Sequence, residues 1–262
     1  MSEIKPFSID GETKEIKRDR LAMAIKPVVD VRAEPKFKSE RVHQIVFGEI
    51  VELLEEQIDN EYLYICDKRL DYRGYVNRNT LHILSEDEHS QISKLPFLKV
   101  SVPFCRTIGG LSFILPVGSI LYEQSENEYI MPNGMVYSLV DSPLSAHDNI
   151  IDLALDFLGV PYLWGGTSSY GFDCSGFVNR IYDLIGKWLP RDAGDQEEYL
   201  ESVEFPEPGD LLFMKGHVMM YLGERKIVHA NGHDMCVSIT DLNKDDYGKY
   251  LKSQIRKIGR LC

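Results

Sequence analysis

Short runs of alternating and β-branched residues fill the first half of the chain. Val28-Val29-Asp-Val31, Val42 to Ile45, Glu49-Ile-Val-Glu-Leu-Leu54, Tyr62-Leu-Tyr-Ile-Cys66 and Gly74-Tyr-Val76 each read as a strand. Asp59-Asn60 and Asp71-Tyr-Arg-Gly74 read as turns between them. Strands this short and evenly spaced predict a small all-β barrel over 27–85. Before it, 1–26 mixes charges with little periodicity and reads as an N-terminal arm. Val46-Phe-Gly48-Glu-Ile-Val51 is echoed 70 positions later by Pro116-Val-Gly118-Ser-Ile-Leu121. The echo predicts a second, degenerate copy over 95–142, with 127–137 supplying its later strands. Ser85-Glu-Asp-Glu-His-Ser90 reads as a polar linker between the copies.

The pattern changes after Ser142-Pro143. Asn149 to Leu158 has apolar residues at helical spacing, and so does Ser175 to Ile185, which Gly186 ends. Between them lies a glycine- and aromatic-rich loop. Beyond Pro208-Gly209 four strands follow, at 210–214, 217–222, 226–230 and 235–239. Two or three helices followed by a run of strands predict an α+β domain over 143–262.

Composition narrows the setting. The 262 residues are 44% apolar and 27% charged, which is ordinary for a globular chain with a real core. A net charge of −12 disfavours unspecific nucleic-acid binding, which needs Lys and Arg to displace counterions. It equally disfavours docking on an anionic surface. No run approaches the roughly 18 apolar residues of a spanning helix, and the charged N-terminus shows no signal-peptide core. Five cysteines are an odd count in a chain too large to need disulfide staples. The expectation is a cytoplasmic, monomeric protein with reduced thiols and neither nucleic-acid nor membrane partners.

One cysteine stands apart. Phe172-Asp-Cys-Ser-Gly-Phe177 puts Cys174 in the first turn of a predicted helix, where aligned N–H dipoles favour the thiolate. A nucleophilic thiol needs an imidazole, and the imidazole needs an orienting acceptor. His217 and His229 lie on successive predicted strands across a turn at 223–225. An odd-length loop puts both rings on one face of the hairpin, and an even one separates them. Zinc on Cys174, His217 and His229 is the competing reading. Structural zinc sites favour shorter ligand spacings, so the expectation is no metal and no cofactor.

Six ordered blocks across 145–262 now carry a resemblance. They are Pro161-Tyr-Leu-Trp-Gly-Gly166, Asp173-Cys-Ser-Gly-Phe177, Leu189-Pro-Arg-Asp192, Pro208-Gly-Asp-Leu211, Gly216-His-Val218 with Tyr221-Leu-Gly223, and Val228-His-Ala230. Together they resemble the NlpC-type, papain-like cysteine peptidases of bacterial cell-wall peptides. The preceding region resembles the bacterial SH3-like repeats found in some members. The whole is similar to the γ-D-glutamyl-L-diamino-acid endopeptidases of the dipeptidyl-peptidase VI type.

The resemblance implies Cys174 as nucleophile, His217 as general base and His229 as the residue orienting it. It implies Tyr162 beside the oxyanion, and Asp173 and Ser175 holding the substrate's free amino terminus. If the first repeat closes the cleft, Glu40 and Tyr72, with Asp192, are candidates for the same pocket. Met219 and Ala193 depart from the family pattern, which commonly has Gly and Ser there. The implied substrates are murein peptides of the L-Ala-γ-D-Glu-diamino-acid type. Two other readings remain: a wall-binding protein with a vestigial catalytic domain, and a thioester-forming amidase or acyltransferase.

Overall fold

The computed structural model describes residues 20–54 and 61–261. Most of the expected arm (1–19), the Asp59-Asn60 turn and Cys262 lie outside the described residues. Among the described residues, three large antiparallel sheets and one two-stranded hairpin follow one another along the chain.

The first sheet holds β1 (Arg20–Ala24), β2 (Val28–Arg32), β3 (Arg41–Val46), β4 (Ile50–Leu53), β5 (Tyr62–Asp67), β6 (Tyr72–Asn77) and β7 (Leu81–Ile83). Their order is β3-β2-β6-β5-β4-β1-β7. Alternate residues Val29, Val31, Ile45, Val51, Leu63, Ile65 and Val76 meet in its core. The arm expectation fails at its end, because 20–24 pair with β4 and β7. Ala22, Met23 and Ala24 are fully buried there, so a short apolar run inside a charged segment is enough for a strand.

The expected linker is also a structured element. Glu86–Ile92 forms helix α1, and Ser85 and Glu88 close a reciprocal capping box at its start. The second sheet holds β8 (Phe97–Lys99), β9 (Phe104–Gly109), β10 (Ile114–Pro116), β11 (Ile120–Ser125), β12 (Glu128–Ile130) and β13 (Val136–Leu139). The echoed segments occupy equivalent turns. Gly48 and Gly118 have φ of 81° and 86°, and each leads into the next strand, β4 or β11. The two turns interlock: the Ile120 N–H donates to the Phe47 carbonyl at 2.8 Å, and Phe47 packs edge-on against Phe113 and Tyr137.

The last unit is α+β, as its pattern predicts. It holds α2 (Ile150–Leu155), the hairpin β14 (Thr167–Ser168) and β15 (Gly171–Phe172), α3 (Cys174–Leu184) and α4 (Ala193–Tyr199). There follow β16 (Glu201–Ser202), β17 (Leu211–Met214), β18 (His217–Gly223), β19 (Lys226–Asn231), β20 (Cys236–Asp241), α5 (Asp246–Gln254) and β21 (Lys257–Arg260). Helices α4 and α5 have too few apolar residues to have shown in the hydrophobic pattern. The sheet order is β16-β21-β17-β18-β19-β20. Phe177, Val178 and Ile181 of α3 share one core with Val218, Met220, Val228 and Ala230, so the helix lies across β18 and β19. Burying each such side chain stabilises by about 1.5–3 kcal/mol. Among the described residues no helix is long and apolar enough to cross a membrane.

Ion pairs join the three units at the far end of α3. Arg180, 1% exposed at its side chain, reaches Asp183 at 3.0 Å and Glu49 of the first unit at 3.3 Å. Lys99 of the second unit meets Asp183 at 2.7 Å, and Arg69 of the first approaches it at 3.6 Å.

Candidate active site

Helix α3 starts at Cys174 because Asp173 caps it, accepting the Gly176 N–H at 2.6 Å. Gly176 itself is required. A Cβ there would sit 2.1 Å from the Gly166 carbonyl oxygen, so only glycine lets the helix start lie against the aromatic loop.

The two histidines meet by an unexpected route. The β18–β19 turn has two residues, Glu224 and Arg225, at φ of 50° and 64°, which is the hairpin geometry that follows strand twist. An even loop alone would place the rings on opposite faces. A bulge between Tyr221 and Gly223 shifts the register by one and restores the parity. His217 Nε2 then lies 2.8 Å from His229 Nδ1, and His229 Nε2 lies 3.1 Å from the Thr240 hydroxyl.

The Cys174 sulfur sits against the start of β18, the strand that carries His217. The N–H groups of Val218 and Ser175 both reach it, and Val218 directly follows His217. Around the Cys174 thiol, burial opposes the helix-start dipoles expected to favour the thiolate. Burial, then the Asp173 charge, pushes the Cys174 thiol up to about 11 despite those donors. Burial alone holds the His217 pKa down at about 4.

A cavity of about 350 Å³ opens at Cys174. Tyr162, Trp164, Asp173, Ser175, Asp192 and Ala193 line it from the last unit, and Glu40, Val42 and Tyr72 from the first. All the sequence-predicted site residues except the two histidines therefore face one cleft, and His217 begins the strand after its Gly216 wall. Met219 is fully buried in a separate core cluster with Leu212, so its departure from the family pattern leaves the cleft wall unchanged.

Asp173, which the resemblance assigns to the substrate's amino terminus, is densely bonded within the protein. Its carboxylate accepts from the Gly165 and Gly176 N–H groups, from Ser175 Oγ and twice from Arg191, at 2.6–3.2 Å. That exceeds the roughly four acceptor positions of a carboxylate. Arg191, 2% exposed, also donates to Ser175 Oγ at 2.9 Å and to His43 Nδ1 at 3.1 Å. His43 therefore carries its hydrogen on Nε2, 3.3 Å from Asp67. Burial holds His43 neutral, with its pKa lowered to about 4. A buried chain Asp67–His43–Arg191–Asp173 thus runs from the first β unit to the cap of the catalytic helix.

The available carboxylates are Glu40 and Asp192. Glu40 accepts the Trp164 indole N–H at 2.7 Å. Asp192 is the N-cap residue of α4, yet its side chain makes no capping bond and instead accepts from the Tyr72 hydroxyl at 3.3 Å. Burial raises the Asp192 pKa. Tyr162 has no hydrogen-bond partner for its hydroxyl among the described residues, and burial pushes its pKa up to about 12. The sequence reading missed Trp164, Arg191, His43 and Thr240 as parts of this site. The first two stood inside quoted motifs, while the others carry no local signal.

Residues 159–256 match the NlpC/P60 family. Over 271 aligned residues the chain is 28% identical to dipeptidyl-peptidase 6 of Lysinibacillus sphaericus, covering 92% of this chain and 99% of that one. It is 41% identical over 117 residues to the γ-D-glutamyl-L-lysine dipeptidyl-peptidase of Bacillus cereus, spanning only 35% of that protein's length. The crystal structure of an NlpC/P60 family protein from Bacillus cereus superposes with a TM-score of 0.76 at 23% identity, over 92% of this chain and 99% of that one. That likeness establishes the fold.

Proposed function

With an NlpC/P60 domain at residues 159–256 as the premise, we propose that the chain is a cysteine peptidase of short peptidoglycan-derived peptides. It hydrolyses the γ-D-glutamyl–L-diamino-acid bond behind a free amino-terminal L-Ala. The observation that carries this reading is the walled cleft. The Cys174–His217–His229 line opens into about 350 Å³ that residues of the first, SH3-like unit close at one side. The names of the two relatives above support the bond and the dipeptide product. A net charge of −12 and four free cysteines among the described residues support a cytoplasmic enzyme acting on soluble fragments.

Cys174 Sγ attacks the γ-carbonyl carbon while its proton passes to His217 Nδ1, the nitrogen that His229 leaves open. The Cys174 N–H and the Tyr162 hydroxyl face the developing oxyanion. His217 then gives the proton to the departing amine, and water hydrolyses the thioester. Glu40 and Asp192 meet the L-Ala ammonium, with Tyr72 and Trp164 as walls. Ser175 and Asp173 hold the pocket's shape through Arg191.

Mass spectrometry of products from L-Ala-γ-D-Glu-diaminopimelate and its N-acetyl form tests the reading. Release of L-Ala-γ-D-Glu from the free peptide alone is expected. Comparable rates on the acetylated peptide or on intact sacculi would sink the closed cleft, and a different product would sink the bond assignment.

A further inference from the structure

Three strands of the last sheet bring a fourth polar residue into the catalytic line. Thr240 of β20 lies one diagonal from His229 of β19, in the register that pairs His229 with Ser238 and Ile227 with Thr240. Its Oγ1 is 3.1 Å from His229 Nε2. Tyr247 lies near-parallel to the His229 ring at 6.3 Å and 22°, and stacks more closely on His233 at 3.9 Å.

The hydrogens along this line can run in only two directions. For His217 Nδ1 to receive a proton, His217 must carry its hydrogen on Nε2 and donate it to His229 Nδ1. His229 must then carry its own on Nε2 and donate it to Thr240. In the opposite direction Thr240 donates, His229 donates to His217, and Nδ1 of His217 already bears a hydrogen. The first direction is the one that a proton acceptor at His217 Nδ1 requires. Thr240 lines a cavity of about 630 Å³ whose wall holds both carboxylates (Asp234, Asp241) and cations (Lys226, Lys244). Its hydroxyl hydrogen can turn into that space and leave the oxygen lone pairs for His229.

We propose that Thr240 is a positioning residue: its hydroxyl accepts the His229 Nε2 hydrogen and so fixes both histidines in the tautomers that leave His217 Nδ1 open to the thiol. This deepens the cysteine-peptidase reading and rests on it for its kinetic consequence. The tautomer itself is readable without activity. Thr240 is fully within the sheet and 6% exposed, so Thr240→Val keeps its shape while removing the hydroxyl.

The experiment compares wild type, Thr240→Val and Thr240→Ser by steady-state kinetics and by 15N NMR of histidine-labelled protein. In wild type the His229 Nδ1 resonance is expected in the range of an unprotonated acceptor nitrogen. Thr240→Val is expected to move that resonance and lower kcat about tenfold, roughly the effect of one lost hydrogen bond, with KM within about twofold. Thr240→Ser is expected to restore both. A wild-type nitrogen pattern and kcat in Thr240→Val would overturn the proposal, as would a Ser variant as slow as the Val variant. If wild type fails to cleave the peptide while the nitrogen pattern shifts as described, the peptidase reading falls and the tautomer assignment stands.

Discussion

His217 and His229 share one face of a hairpin whose two-residue turn, taken alone, would part them; a single bulged residue before Gly223 brings Nε2 and Nδ1 to 2.8 Å. The base and its orienter therefore depend on a backbone irregularity. Deleting Leu222, the bulged residue, is expected to abolish turnover while residues of the first β unit keep their hydrogen-exchange protection. Retained activity in that deletion would show that the imidazoles reach each other without the bulge.

His229 makes two bonds, one from each ring nitrogen. A glutamine amide offers an oxygen to His217 and an N–H to Thr240, whereas alanine offers neither. Steady-state rates are expected in the order wild type, His229→Gln, His229→Ala, with Cys174→Ala inactive but folded. Equal, near-wild-type rates for both His229 variants would remove this residue from the mechanism.

The thiol is the next test. With the Cys174 pKa pushed up to about 11, its iodoacetamide labelling rate should keep climbing above pH 9, where an ordinary cysteine has levelled off. At neutral pH half-buried Cys236 should label faster. A Cys174 rate that is high and flat from pH 5 to 9 would instead reveal a thiolate–imidazolium pair.

Glu40 reaches across from the first unit to Trp164 in the cleft. Glu40→Gln keeps the indole bond and removes the charge. It is expected to raise KM for the free peptide about ten- to a hundredfold, the range of a charge-assisted hydrogen bond, and to shrink the preference over the N-acetyl peptide. An unchanged preference would assign the ammonium to Asp192 alone.

Acid stability follows from His43. Its folded pKa of about 4 lies below the 6.5 of an unfolded histidine. Between those values the unfolded chain takes up a proton that the folded chain refuses, so stability falls as pH drops from 6.5 towards 4. The loss is about 1.4 kcal/mol per pH unit for this group. His43→Gln retains an acceptor for Arg191 and should flatten the decline in denaturant midpoint between pH 6.5 and 4.5. An identical decline would show that other groups set it.

Much of this was legible in advance, and the rest fails for identifiable reasons. Cys174 stood out because its helix start, glycine loop and capping Asp173 are all local. The β repeats showed through Gly48 and Gly118, whose left-handed turns leave the same local pattern twice. Helix α1 carried a visible Ser85–Glu88 capping signature that its run of charges disguised as a linker. The partners of Asp173 within the protein were not legible because a motif names a residue and not its neighbour. Arg191, 18 positions later, occupies it, and His43, 148 positions from Arg191, supports that arginine. No spacing rule links residues so far apart, and Thr240 lacked any motif.

The ion pairs at the far end of α3 bear on how such a chain is inherited and engineered. Arg180 reaches its carboxylates in two different units, and Lys99 from a third segment completes the group. Cutting at residue 143 would leave that guanidinium with Asp183 alone of its two carboxylates. The three units look like interchangeable beads on a string, but one charge group ties them together. A chimera that grafts a new leading barrel onto this peptidase keeps this charge group only if the barrel carries Glu49 and Arg69.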